Sequence, residues 1–166
     1  MQTTWVLSQR YVDTDVDRAR WRSTANVRVL SSLQIGVEFN AMAEEVGPLV
    51  TCFLTTERGR RPAVFLGTSS DRIGSPPGKQ SYYLTAAKRA PDLPVSAYAT
   101  LNYSEWDEAL NFPFGATLDL GRGLAVQPMY DGRKTHLLLH YARSRAAVSL
   151  LWVWLERPGV SVSVGF

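Results

Sequence analysis

Several features that would classify the chain quickly are scarce or absent. A single cysteine, Cys52, cannot form an internal disulfide. The charge-free apolar stretches Val148 to Leu155 and Leu49 to Leu54 are far shorter than the roughly 20 residues of a membrane-spanning helix. Lys and Arg number 18 against 15 Asp and Glu, and the basic residues are scattered through turns, so we expect no nucleic-acid partner. No basic segment followed by an apolar core opens the chain, so no signal peptide is expected in it.

Residues suited to metal binding or catalysis are also few. The two histidines, His136 and His140, lie four positions apart, which separates them by about 13 Å on a strand. With no cysteine nearby they cannot share a metal ion unaided, so we predict no metal, no cofactor and no enzymatic activity. His140 with Ser149 or Ser163 is the one nucleophile and base arrangement that the pattern offers. It keeps a lipid-modifying enzyme as an alternative.

In many segments of the sequence, apolar residues instead alternate with small or polar residues at a period of two. This pattern gives a strand one apolar and one small or polar face, because successive side chains point to opposite sides of the sheet. A helical pattern is absent except for one short turn expected around 104–110. The clearest apolar faces are Leu33, Ile35, Val37, Phe39; Val95, Ala97, Ala99, Leu101, Tyr103; Phe112, Phe114, Ala116, Leu118, Leu120; Leu124, Val126, Pro128, Tyr130; and Thr135, Leu137, Leu139, Tyr141. The chain is therefore predicted to be all-β.

Turn signals separate these segments and predict antiparallel neighbours. Tight hairpins are expected at 121–123, 131–134 and 156–159, with longer loops at 69–79 and 104–111. Gly47 with Pro48 and the run 75–78 are expected to lie in loops. About twelve strands result, with ten as the alternative, in one domain over 1–166. Their predicted positions are 3–12, 20–30, 32–41, 48–56, 61–68, 80–88, 94–103, 112–120, 123–131, 134–142, 146–155 and 159–166. Both longer loops are odd-numbered connections between strands under either count, so we expect them at the same end of the strands.

The polar faces of the strands carry few charges. They hold mainly Ser, Thr, Gly, Asn, Gln and Tyr, whereas a soluble barrel or sandwich would expose many Lys, Glu and Arg there. This composition favours a polar lumen with an apolar exterior in contact with lipid. Aromatic residues are expected near both rims, with Trp5 and Tyr141 at one rim and Tyr11, Phe39, Tyr103, Phe112, Tyr130 and Trp154 at the other. The candidate pore-lining residues are Arg28, Glu38, Asn102, Asp119, Gln127, His136 and His140. Among the lumen charges, Arg28, Glu38 and Asp119 are expected at mid-strand, with Arg10, Arg22 and Asp131 nearer the rims.

The C-terminal segment Val160-Ser161-Val162-Ser163-Val164-Gly165-Phe166 alternates strictly and ends on an aromatic ring. It resembles the closing strand of bacterial outer-membrane β-barrel proteins, which typically ends in Phe. The resemblance implies an antiparallel up-and-down transmembrane β-barrel in the bacterial outer membrane. It also implies that Phe166 is read by the barrel assembly machinery and that the outer loops meet lipopolysaccharide. Only this final strand matches as a motif, and no narrower family follows.

The expected function is a small passive pore for ions or small polar solutes. Three alternatives stay open: a closed structural or interaction barrel, the lipid-modifying enzyme, and a soluble ligand-binding barrel of lipocalin type. The Gly-x-Trp of lipocalins is absent near the first strand, and so is the His-x-Ser-Asn-Gly motif of outer-membrane phospholipases. With about twelve strands the lumen is intermediate in width between small barrels filled by their own side chains and open porins. The strand count therefore does not decide whether the lumen side chains line a narrow pore or fill the interior.

Overall fold

Each segment with period-two alternation forms a β-strand in the computed structural model, which describes residues 4–166. The start expected at Thr3 lies outside that range. One four-residue helix and one 3-10 turn, Ala41–Ala43, interrupt the strands. The elements are β1 Thr4–Val12, α1 Asp17–Arg20, β2 Trp21–Leu30, β3 Leu33–Asn40, β4 Glu45–Thr55, β5 Ala63–Ser70, β6 Gln80–Arg89, β7 Val95–Ser104, β8 Ala109–Asn111, β9 Phe114–Gly121, β10 Leu124–Tyr130, β11 Thr135–Arg143, β12 Ala146–Val153 and β13 Arg157–Gly165.

The strands close into an antiparallel up-and-down barrel. Every strand pairs with its neighbours in sequence, and β1 pairs with β13 from Val6 opposite Gly165 to Val12 opposite Gly159. Backbone hydrogen bonds between Trp5 and Phe166, 2.9 and 3.3 Å long, extend this pairing to the last residue. Closure satisfies the backbone groups that an open sheet would leave unpaired at its edges.

Strands β8 and β9 are two parts of one barrel strand, so the barrel has twelve strands, as predicted. Asn111 in β8 pairs with Asn102 in β7, and Phe114 in β9 pairs with Ala99, which is the same register. The break falls at Pro113, which has no N–H to donate to the ladder, although its carbonyl accepts a hydrogen bond from Thr100 N–H at 2.8 Å.

Connections differ between the two ends of the barrel. One end, called here the loop end, carries the connections 13–20, 41–44, 71–79, 105–108, 131–134 and 154–156. The other, the turn end, carries 31–32, 56–62, 90–94, 122–123 and 144–145. The two predicted long loops therefore share one end, as expected from their parity. The connection 13–20 falls where the predicted strands leave a gap, but its helix α1 was not predicted. Residues 105–108 form turns rather than a helix.

Two predicted connections are wrong. The β12 to β13 turn lies at Trp154 and Leu155, both with φ of 58°, rather than at 156–159. Gly159 lies inside β13, where an added Cβ would be 2.6 Å from the Tyr11 carbonyl oxygen, so close strand packing explains this glycine. Gly47 and Pro48 lie inside β4. Proline is tolerated there because the ladder with β5 begins only at Val50.

The two faces of the wall differ as the alternation predicts. Large apolar side chains point outward and are exposed on all twelve barrel strands: Leu7, Trp21, Ile35, Val37, Phe39, Val46, Leu66, Leu84, Leu101, Phe114, Leu124, Leu137, Val148, Leu150, Trp152, Val160 and Val162. The inward face carries many polar side chains that are buried or half-buried: Ser8, Thr24, Asn26, Thr51, Thr85, Thr100, Thr117, Ser149, Ser161 and Ser163. Near the loop end it also carries an apolar cluster of Val12, Leu138, Leu151 and Val153. No helix among residues 4–166 is long and apolar enough to cross a membrane.

Candidate functional site

A cavity of about 330 Å³ lies inside the loop end of the barrel. Its wall combines charged residues with apolar ones, and loop 71–79 and α1 contribute to its lining. The lining residues are Arg10, Arg18, Ala19, Arg22, Glu38, Asn40, Ser69, Ser70, Asp71, Arg72, Ile73, Gly74, Met129, Asp131, His136, Leu138, Leu151 and Val153.

Helix α1 and loop 71–79 form a cap over this cavity. Arg18 of α1 is only 5% exposed and donates hydrogen bonds to Glu45 Oε2 at 2.7 Å, to the Lys79 carbonyl oxygen at 2.8 Å, and to Ser75 Oγ. Ile73 of loop 71–79 packs against the buried cluster of Val12, Leu151 and Val153 in the barrel wall. The cap is therefore attached to the barrel by a buried ion pair and by apolar packing.

A second buried network continues from the cap to the lumen wall. Asn40 Nδ2 donates to Glu45 Oε2 at 3.0 Å and to Glu38 Oε1 at 2.8 Å, and the other Glu38 oxygen accepts from Arg22. Glu38 is 1% exposed, so its carboxylate depends on these donors in place of water. The network connects β2, β3, β4, α1 and loop 71–79.

Arg10 and Arg22 differ from the other arginines of the cavity. The Nε atom of each is buried and has no hydrogen-bond partner among residues 4–166. The carboxylate facing these two guanidinium groups is Glu38, which Arg22 already engages. The wall formed by β1 and β2 therefore presents donors that the protein does not satisfy.

Ion pairs also connect the loops over the cavity rim. Arg72 makes a bidentate contact with Asp107, and its guanidinium carbon lies 4.4 Å from the centre of the Trp106 ring. Asp71 Oδ2 accepts from Ser104 Oγ at 2.6 Å and from Trp106 N–H at 3.1 Å. The hydrogen bonds from Arg72 outweigh the effect of burial and hold the pKa of Asp107 below its ordinary value.

Asp131 and His136 form a pair on the opposite side of the cavity. Asp131 Oδ2 lies 2.8 Å from His136 Nε2, and Oδ1 accepts from the N–H groups of Arg133 and Lys134. Burial alone would raise the pKa of Asp131, but hydrogen bonds from His136 and from these two N–H groups outweigh it and hold the pKa below its ordinary value. This carboxylate thus stays ionised at neutral pH.

A chain of hydrogen bonds crosses the lumen wall nearer the turn end. His140 Nδ1 lies 2.7 Å from Ser149 Oγ, and Nε2 lies 2.9 Å from Gln127 Oε1. Gln127 in turn bonds with Tyr98. Because Gln127 Oε1 can only accept, it fixes the tautomer with the proton on Nε2, and Nδ1 then accepts from the Ser149 hydroxyl. A serine, a base and a group that orients the base therefore stand in series.

The structure places the predicted lumen residues at different depths. Glu38 and His136 line the loop-end cavity, while Gln127 and His140 join the hydrogen-bonded chain. Asn102 is 7% exposed and donates to Asn111 Oδ1 at 3.1 Å.

Two residues expected at mid-strand lie instead near the turn-end rim, because alternation assigns a face and not a depth: Arg28 and Asp119 are each two positions from the turn end of their strands. Arg28 covers the Phe53 ring at 4.1 Å, and Asp119 Oδ1 accepts from Gly121 N–H at 2.8 Å. Arg10 and Arg22 lie near the loop-end rim, as expected, and line the cavity there.

Arg18 was missed altogether because α1, with four residues, is too short to create a helical period. The signal present was the cluster Asp17-Arg18-Ala19-Arg20 between two strands, which is ordinary for a loop. Arg18 is recognised as a residue that attaches the cap only from its ion pair with Glu45 in the folded structure.

Among residues 4–166, no group of three or more His, Cys, Asp or Glu side chains is arranged to hold a metal ion. The chain matches no protein-family model, and no curated protein matches it in sequence.

Proposed function

We propose that this protein is a β-barrel of the bacterial outer membrane that forms a narrow pore for small polar solutes, with the loop end facing outward. The observation that carries the proposal is the exposed apolar exterior, which is present on all twelve barrel strands and surrounds a lumen that carries most of the polar strand residues. Soluble monomers rarely expose continuous apolar surface of this extent. Lipid is the solvent in which such an exterior is stable.

The rims add support to this proposal. Exposed aromatic side chains collect near the loop end, at Trp21, Phe39, Tyr82, Tyr103, Phe112, Phe114 and Trp152, and Trp5, Tyr141 and Phe166 lie at the turn end. Aromatic residues favour the lipid headgroup region, so two bands on either side of an aliphatic zone suit a spanning barrel. Trp154, expected in a band, is half-buried at the cap instead.

The two ends suggest the partners. Phe166 ends the strand that pairs with β1, which is where an assembly factor reading the C-terminal strand would act before closure. The longer loops would then lie among lipopolysaccharide headgroups. Small side chains such as Ser149, Ser161 and Ser163 leave room in the turn-end half of the lumen, while α1 and loop 71–79 restrict the opposite mouth.

The test is purification with and without detergent, followed by planar-bilayer recording of the folded, detergent-soluble protein. We expect folding only in detergent or lipid and small, discrete current steps. A folded, monodisperse protein in plain buffer would overturn the membrane assignment. Stable insertion without current would overturn the pore and leave a closed barrel.

The series Ser149, His140 and Gln127 favours a second candidate, a serine hydrolase acting from the lumen. The hydroxyl bonds to the imidazole at 2.7 Å and the imidazole is oriented by an amide oxygen at 2.9 Å, which is the arrangement that activates a serine nucleophile. A fluorophosphonate probe would label Ser149 if this candidate is right. Ser149→Ala should then abolish labelling, and Ser161→Ala, on the adjacent strand, should preserve it. Absence of labelling in the folded wild-type protein would rule against a hydrolase.

A further inference from the structure

The loop-end cavity has two chemically different walls. On β1 and β2, Arg10 and Arg22 face the cavity with buried Nε atoms that have no partner in the described chain. On β10, β11 and β12, the side chains of Met129, Leu138 and Leu151 face the same space. Strand β13, which carries Gly159 opposite Val12, lies between the two walls. The cavity is therefore cationic on one side, and on the other side its apolar residues lie beside the Asp131 and His136 pair.

Arg10 forms no ion pair with another of the described residues, whereas Arg18 is paired with Glu45, Arg22 with Glu38, and Arg72 with Asp107. Asp71 and Asp131 also line the cavity, but their hydrogen bonds run to Ser104, Trp106 and His136 and not to Arg10. Taking a guanidinium group out of water without a partner is costly, so a site built this way favours an added anion.

We propose that this cavity binds a small organic carboxylate, with its carboxylate on Arg10 and Arg22 and its apolar body against Leu138 and Leu151. A guanidinium group binds a carboxylate through paired, charge-assisted hydrogen bonds. The volume of about 330 Å³ matches the lower end of ligand pockets, so one small molecule with a short aliphatic or aromatic body fills it. This inference rests on the proposed pore, because it names the solute class that the lumen selects.

Binding is tested on the full barrel folded in detergent by isothermal titration with benzoate, the neutral isostere benzamide, and inorganic phosphate. We expect benzoate to bind, with benzamide and phosphate at least about tenfold weaker, because only benzoate meets both walls. Equal binding of benzamide would overturn the role of the arginines. Equal binding of phosphate would overturn the apolar wall and indicate a general anion site.

Variants locate the site. Arg10→Met removes the charge and keeps the side-chain length, and we expect benzoate affinity to fall about tenfold or more. Arg28→Met makes the same change at the turn-end rim and should leave affinity unchanged. Leu138→Asn should weaken benzoate and leave acetate unchanged. Unaltered benzoate affinity in folded Arg10→Met would refute the proposal.

The outcomes also separate the site from the pore. If Arg10→Met does not fold, the comparison of benzoate with benzamide on the wild-type protein still decides the question. Current without benzoate binding would reject the site and keep the pore. Benzoate binding without current would reject the pore, and with it the selection of solutes, while the cavity would remain a carboxylate site. The absence of both current and benzoate binding would reject the pore and the carboxylate site together.

Discussion

The backbone N–H of Trp154 donates a hydrogen bond to His136 Nδ1 at 3.3 Å, while Nε2 of the same ring lies 2.8 Å from Asp131. The imidazole thus uses both nitrogens, with Nδ1 as the acceptor and the proton on Nε2. Trp154 is held further by Lys134, whose Nζ lies 4.5 Å from the ring centre, and by contact with Gly74. These contacts explain why a large residue is kept in a left-handed turn at the cap.

The turn at Trp154 and Leu155 is strained, and Leu155→Gly should relieve part of the strain. Leu155 has a φ of 58° and is 55% exposed, so little packing is lost when its side chain is removed. We expect the free energy of unfolding to rise by about 1 kcal/mol. Urea titration in detergent measures this change. Leu110→Gly, on an equally exposed strand residue, should lower stability instead, and a matching rise there would contradict the explanation.

Lowering the pH should reduce the stability of the loop end of the barrel, because Asp131 becomes protonated. Its folded pKa lies below the ordinary value of about 3.9, so its contribution to stability is present above that value and is lost as the pH falls through the folded pKa. Asp131→Asn should therefore be less stable than the wild type at pH 7, with the difference shrinking below about pH 4. Urea unfolding across this range checks the prediction. A difference independent of pH would show that the charge is not responsible.

Arg18→Met should loosen the cap. The change leaves Glu45 buried without its guanidinium partner, which typically costs about 3–5 kcal/mol for a buried pair. Part of that cost falls on the cap alone, so hydrogen exchange should accelerate in residues 17–20 and 71–79, and single-channel current should increase. Lys88→Met breaks an exposed ion pair with Glu57 at the turn end, away from the cap, and should change neither measurement. Unchanged exchange in Arg18→Met would mean that apolar packing alone holds the cap.

Gly115→Ala should destabilise the barrel wall. An added Cβ would lie 2.8 Å from Tyr98 Cε1 and 2.9 Å from the Pro128 carbonyl oxygen, and the latter belongs to backbone that cannot easily yield. We expect a loss of about 1–3 kcal/mol by thermal or urea unfolding. Gly165→Ala is the control, since its nearest neighbours are 3.7 and 3.9 Å away. Comparable losses in both variants would point to a general effect of replacing strand glycines.

The fold could be predicted because each strand carries its own information. The alternation of apolar and polar residues in segments such as Leu33 to Asn40 depends only on which face of the strand meets the lumen. From these segments and the turns between them, the strand number, the antiparallel order and the shared end of the long loops could be predicted. Boundaries were less accurate where a distant contact decides them, as at Trp154, which His136 and Lys134 hold in the turn.

The cavity could not be predicted in the same way. Arg10, Arg22 and Glu38 lie on three different strands, and α1 becomes visible only through the contacts of Arg18. Alternation assigns a residue to the inner face and says nothing of its depth, which is why Arg28 and Asp119 were placed too deep. Whether the predicted residues line a conducting pathway stays a prediction.

The pairing of β1 with β13 has a consequence for assembly. Arg10 belongs to β1 and Leu151 to β12, and β13 lies between these two strands. The two walls of the cavity therefore meet only when the barrel closes. An open intermediate, however complete its hairpins, lacks the site. A ligand that bridges these walls would therefore favour the closed form by mass action, and its binding would report the completion of folding rather than the presence of any single strand.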